Sequence, residues 1–165
     1  MGFEVLPISR FVSEVETMSN LATTLSKLIQ LDIDAVYAYE QAIEHIDIPR
    51  VQSHLRTFQR DHERHILELS DFVLGLGEAP PERARDFKGF LIEGFTALRS
   101  LAGTEGALKA MVSIEEATNR IYREALDQDL PAAALAIVQG NYGDERQHLA
   151  YAKEALANRV WEEAA

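Results

Sequence analysis

Asp32, His62, His65, Glu115, Glu145 and His148 stand in a pattern that a bound metal would explain. A shift of 83 positions lays the second half of the chain on the first. Asp32 falls on Glu115, Tyr39 on Tyr122, Asp61 on Asp144, His62 on Glu145 and His65 on His148. Each half therefore carries an acid, a tyrosine seven residues later, and a histidine at the same distance beyond. Helical residues three apart share a face, so His62 with His65, and Glu145 with His148, can each reach one point. Carboxylate and imidazole together suit iron, manganese or zinc. The chain has no Cys, which removes thiolate ligands, disulfides and thiol nucleophiles. Two readings satisfy these positions. A metal would offset the cost of burying carboxylates and would need deprotonated ligands. A metal-free polar layer would instead pair the acids with His and Tyr side chains. His45 and His54 lie off the pattern and read as solvated, as do Glu63 and Glu40, whose counterpart at the same offset is Arg123.

Four elements must position these residues, and the apolar periodicity predicts four helices and no strand. Helix 1 is expected from Asn20 to Ile46, on a stripe of Leu25, Leu28, Asp32, Ala35, Tyr39, Ala42 and Ile46. Residues 1–18 are ambiguous, with a short helix from Ser9 to Met18 as one option. Pro49 bars the helical region to its predecessor and so ends helix 1. Helix 2 is expected from Val51 to Leu76, with His62 and His65 among Leu55, Phe58, Leu69 and Phe72, and with Gly77 as terminator. Helix 3 is expected from Glu105 to Leu126. Helix 4 starts at Pro131, which suits a first turn, and its tail through Trp161 extends it. Gly140 and Gly143 inside helix 4 suggest close packing or a local distortion. Residues 78–104 join the halves, with Phe87, Phe90, Leu91, Phe95 and Leu98 suggesting a short crossover helix.

The 165 residues suit one domain. With 47% apolar and 26% charged residues the chain reads as soluble and globular. It lacks a membrane-length apolar run and a secretory signal pattern, so a cytoplasmic location is expected. The net charge of −11 disfavours nucleic acid and favours cations.

From Asn20 to Leu156 the chain resembles the ferritin-like superfamily, most closely the rubrerythrin and bacterioferritin type of di-iron bundle. Glu145-Arg146-Gln147-His148 matches that family's Glu-x-x-His, Glu115 its helix 3 acid (with Glu116 as fallback), and Asp32 stands for its helix 1 Glu. Helix 2 departs: His62-Glu63-Arg64-His65 puts His62 where the family has a metal-bridging Glu. The resemblance implies an all-α, up-down four-helix bundle of two helix pairs with a long crossover, one domain over 1–165. It implies one or two iron ions, with manganese or zinc as alternatives, held by Asp32, His62, His65, Glu115, Glu145 and His148. It further implies redox chemistry with oxygen or peroxide, ferroxidase- or peroxidase-like, served by an external electron donor because no Cys is present for a rubredoxin-like centre. The His62 departure leaves Asp32, His62 and His65 as a two-His-one-carboxylate set. That position, with Glu145 nearby, is expected to fill first, and the one near Glu115 and His148 to be weaker or empty. Asp61 and its counterpart Asp144 are placed to orient ligand histidines. The competing function is a non-enzymatic bundle, with a structural metal or none, acting in stress tolerance or association. A homodimer is expected, through Val36, Ile43, Ile66, Val73 and the Phe-rich linker, unless those residues are a second row of core.

Overall fold

Four helices carry the fold. In a computed structural model the described residues are 8–84 and 103–162, with the side chains of the first helix described from Glu16 onward. Helix α1 spans Ile8–Glu44, α2 Pro49–Gly75, α3 Gly103–Leu126 and α4 Ala132–Ala157. The protein is an all-α four-helix bundle, with no strand among the described residues. The short crossover helix expected over the Phe-rich linker lies outside them.

Helix α1 begins at Ile8, well before the expected Asn20, and is one continuous element. No Pro or Gly interrupts the chain between Ile8 and Pro49, so nothing stops the helix from propagating. Asn20, the expected start, sits inside it. The end of α2 is built as expected from Gly77. Its φ of +82° is accessible to Gly without strain. Gly77 N–H donates to Leu74 C=O and Glu78 N–H to Val73 C=O, the paired bonds of a Schellman cap.

Two expectations for the last helix are corrected. A Cβ on Gly140 or Gly143 would meet nothing within 4 Å, so neither glycine marks close packing. The helix also stops at Ala157 rather than running on through Trp161. The chain there turns through Arg159, at φ +48°, and Trp161 folds back against the core.

Helix α1 packs on α2 and α3, and α4 packs on α2 and α3, which leaves α1–α4 and α2–α3 as the diagonals. Leu25, Leu28, Leu55, Leu69, Leu108 and Met111 are fully buried between them. Each such side chain contributes about 1.5–3 kcal/mol on leaving water. That gain holds the helices together around a charged centre. Ile43, Ile66 and Val73 are buried too and belong to the core, so they supply no free apolar face. No helix among the described residues is long and apolar enough to cross a membrane.

Candidate metal centre

The stripe positions converge. Asp32, His62, His65, Glu115 and Glu145 are 0% exposed and His148 is 1% exposed, all in one layer of the bundle. The flanking tyrosines, Tyr39 and Tyr122, are equally buried. His45, His54, Glu40 and Glu63 lie at the surface, where the pattern left them.

The 83-residue repeat is realised as an exchange of partners between halves. Tyr122 Oη donates to Asp32 Oδ2 at 2.6 Å, and Tyr39 Oη donates to Glu115 Oε1 at 2.5 Å. The acid of each half thus takes the tyrosine of the other, which also makes α1 antiparallel to α3. One layer outward the same exchange recurs. His65 Nε2 lies 3.2 Å from Asp144 Oδ2, and His148 Nε2 lies 3.2 Å from Asp61 Oδ2. His62 and Glu145, which the offset lays on each other, face one another at the centre, Nδ1 to Oε1 at 3.4 Å.

The histidine partners set the tautomers. A carboxylate only accepts, so the ring nitrogen facing it must carry the proton. His65 and His148 therefore donate from Nε2 to Asp144 and Asp61. His62 donates from Nδ1 to Asp32 Oδ1, 2.8 Å away. In a neutral ring the other nitrogen is a bare lone pair: Nδ1 of His65, Nδ1 of His148 and Nε2 of His62. All three point into the layer and have no hydrogen-bond partner. Glu115 Oε2 and both oxygens of Glu145 are also unpartnered. Seven buried side-chain polar atoms among the described residues lack a partner, and six of them are these. Leaving a buried polar atom unsatisfied costs about 1–3 kcal/mol, more when charged. Six of them aimed at one layer need a common partner.

A cation is a partner of the right kind. Two overlapping groups could hold one: Asp32, His62, His65 and Glu145, and His62, Glu115, Glu145 and His148. Within each group the donor atoms lie within 4.8 Å of one another. The two shared residues, His62 and Glu145, are the central pair of the repeat.

The electrostatics describe the same layer with protons in place of metal. Burial alone would lower the His62 pKa, but Glu145, Asp32 and Glu115 reverse this and hold it well above the usual imidazole value. For His65, burial is likewise outweighed, by Asp32 and Glu145, and the pKa is pushed up to about 9. Burial works to raise Glu145, yet His62, His148 and His65 keep its carboxyl well below the usual range. Glu115 is raised, chiefly by burial. Burial, with Glu115 and Asp32 beside them, raises Tyr39 and Tyr122, so both stay protonated as donors.

Sequence reasoning missed two supporting residues. Arg64 crosses the outer rim, donating from Nη2 to Asp144 at 2.6 Å and to Asp61 at 3.4 Å. It holds together both aspartates that orient His65 and His148. Asn119 Nδ2 donates to the backbone carbonyls of Glu115 and Glu145, at 2.8 and 2.9 Å, and so ties α3 to α4 beside the centre. Arg64 sits in plain view between the two histidines of its motif. Asn119 has no counterpart signal in the repeat.

No curated protein matches the chain. Residues 20–128 match the family described as Domain of unknown function (DUF2383), a span that runs from the first helix to just past the third. With about two thirds of its length inside that match, the chain belongs to the DUF2383 family.

Proposed function

We propose that this protein is a ferritin-like metal-binding protein that carries out iron-dependent redox chemistry with oxygen or peroxide. The observation that carries the reading is the set of six unpartnered donor atoms from His62, His65, Glu115, Glu145 and His148 in one buried layer. The donors are nitrogen and carboxylate oxygen, the set that suits iron, manganese or zinc, and iron follows from the ferritin-like resemblance. His62, His65, Glu115, Glu145 and His148 would hold the metal, as one or two ions, with Asp32 in the same layer beside them. A bound iron ion would supply one-electron exchange with oxygen or peroxide. The protein's part is to fix the ligand rings through Asp32, Asp61 and Asp144, and to keep water away with Phe58 and Tyr39. The Phe58 ring centre lies 4.3 Å from that of His148, and that of Tyr39 lies 5.2 Å from that of His62. Turnover with peroxide draws electrons from an external donor.

One observation favours the metal-free alternative. Asp32 lies 2.8 Å from His62 and Glu145 lies 3.2 Å from His65, and both carboxylates raise the two imidazole pKa values, so protons on the rings can neutralise much of the layer. Metal analysis of protein purified without supplements separates the two. Iron near or above one equivalent, and ferrous oxidation accelerated by the protein under oxygen or peroxide, is the expected result. Protein that retains no metal and leaves ferrous iron, manganese and zinc unbound would sink the redox reading and leave a polar layer.

A further inference from the structure

The two groups are unequal, and hydrogen bonding ranks them. We propose that the primary cation site is the group His62, Glu115, Glu145 and His148, and that Asp32 is a positioning residue for His62 rather than a ligand. The proposal rests on the metal-binding reading above and says which part of the layer fills first.

In the group of Asp32, His62, His65 and Glu145, half the donor atoms are already engaged. Asp32 Oδ1 accepts from His62 Nδ1 at 2.8 Å, and its Oδ2 accepts from Tyr122 at 2.6 Å. His62 faces that group with the nitrogen it has given to Asp32. Only His65 Nδ1 and Glu145 remain open there, 3.2 Å apart. To bind an ion at this position the protein must break the buried His62–Asp32 hydrogen bond and take the proton from His62 Nδ1. In the other group every residue keeps an open atom: His62 Nε2, Glu115 Oε2, Glu145 and His148 Nδ1. His62 Nε2 lies 3.7 Å from Glu115 Oε1, and His148 Nδ1 lies 3.6 Å from Glu145 Oε2. These separations are too long for hydrogen bonds and leave room for an ion between the atoms.

Each of the two histidines in this group is also held from behind. His62 is tethered by Asp32 and His148 by Asp61. A carboxylate on the far nitrogen fixes the ring and raises its basicity as a ligand. Asp32 thus does for His62 what Asp61 does for His148. Tyr122, donating to Oδ2, fixes the Asp32 carboxylate in the orientation that holds His62.

Cobalt(II) tests the ranking through its visible absorption. Metal-free protein is titrated with cobalt(II) alone, in wild type and in Asp32→Asn, His65→Gln, Glu115→Gln and His148→Gln, each checked for helix by circular dichroism. The first equivalent in wild type is expected to give a distinct band. Glu115→Gln and His148→Gln should abolish it. Asp32→Asn should keep the band at the same wavelength and weaken binding ten- to hundredfold, the range for a group that orients a ligand. His65→Gln should keep the first-equivalent band. If Asp32→Asn and His65→Gln lose the band while Glu115→Gln and His148→Gln keep it, the ranking is reversed. Equal loss in all four variants overturns it as well. Wild type that binds no cobalt overturns the metal reading itself. A crystal of wild type with one equivalent of cobalt gives a check that depends on no variant. Anomalous scattering should place the ion within bonding distance of His62 Nε2, and an ion bonded to both Asp32 and His65 would overturn the proposal.

Discussion

At the scale of single residues, Glu145 is the one carboxylate common to both candidate groups, and both its oxygens are open. Glu145→Ala should therefore cost more bound metal than any other single change, with His148→Ala next. Elemental analysis after dialysis reads the loss. Thermal melts should show metal raising the midpoint of wild type and not of either variant, because a ligand stabilises only the state that binds it. His62 is the opposite case. His62→Glu restores a carboxylate at the centre, so anaerobic ferrous titration should rise toward two equivalents, and two tight equivalents in wild type would remove the basis for this expectation. The metal-free protein should also respond to pH. The folded pKa of His65, about 9, lies above its ordinary 6.5. Its contribution to stability is complete below about pH 6.5 and disappears as pH rises through about 9. His62 is shifted the same way. Melting of chelator-treated protein should fall across that window, and His65→Gln should flatten the fall. All six centre positions were legible in the sequence, because a repeat at one offset exposes residues that a lone His or Glu would not. Their hydrogen-bond partners were not legible. Asp32 is a candidate ligand by type, by spacing and by its place in the layer. Only the position of Tyr122 and the His62 ring shows both of its oxygens engaged.

At the scale of elements, the stripes found all four helices because each buries a long apolar face, and period is the strongest signal a sequence holds. The ends were read less well. Helix α1 runs on to Ile8 since no Pro or Gly near Asn20 enforces a start there. Gly77 is legible as a terminator because its positive φ is a demand that few residues meet. Gly140 is ambiguous in the sequence because helical glycine has two causes, crowding and indifference, that look alike in one dimension. The two glycines should respond oppositely to the same change. Gly140→Ala sits exposed in a helix interior with nothing near its new Cβ. It should stabilise the protein by about 1 kcal/mol, a rise of roughly 2–4 °C in Tm. Gly77→Ala should destabilise it by about 1–2 kcal/mol through the left-handed backbone. Differential scanning calorimetry of the two variants checks both signs.

At the scale of the whole molecule, the bundle is two helix hairpins that face each other across a charged layer. The exchange of partners between them bears on how the protein comes apart. Asp32 depends on Tyr122, Glu115 on Tyr39, His65 on Asp144 and His148 on Asp61, so every one of these bonds crosses from one hairpin to the other. A hairpin that separated would carry its carboxylates and imidazoles out of the core without a single one of these partners. Partial unfolding of one half is thus expensive for the other. Native-state hydrogen exchange should show the slowest amides of α1–α2 and of α3–α4 opening with one shared free energy and one denaturant dependence. Two distinct values would mean that the halves can part and that the crossed bonds are weaker than their burial implies.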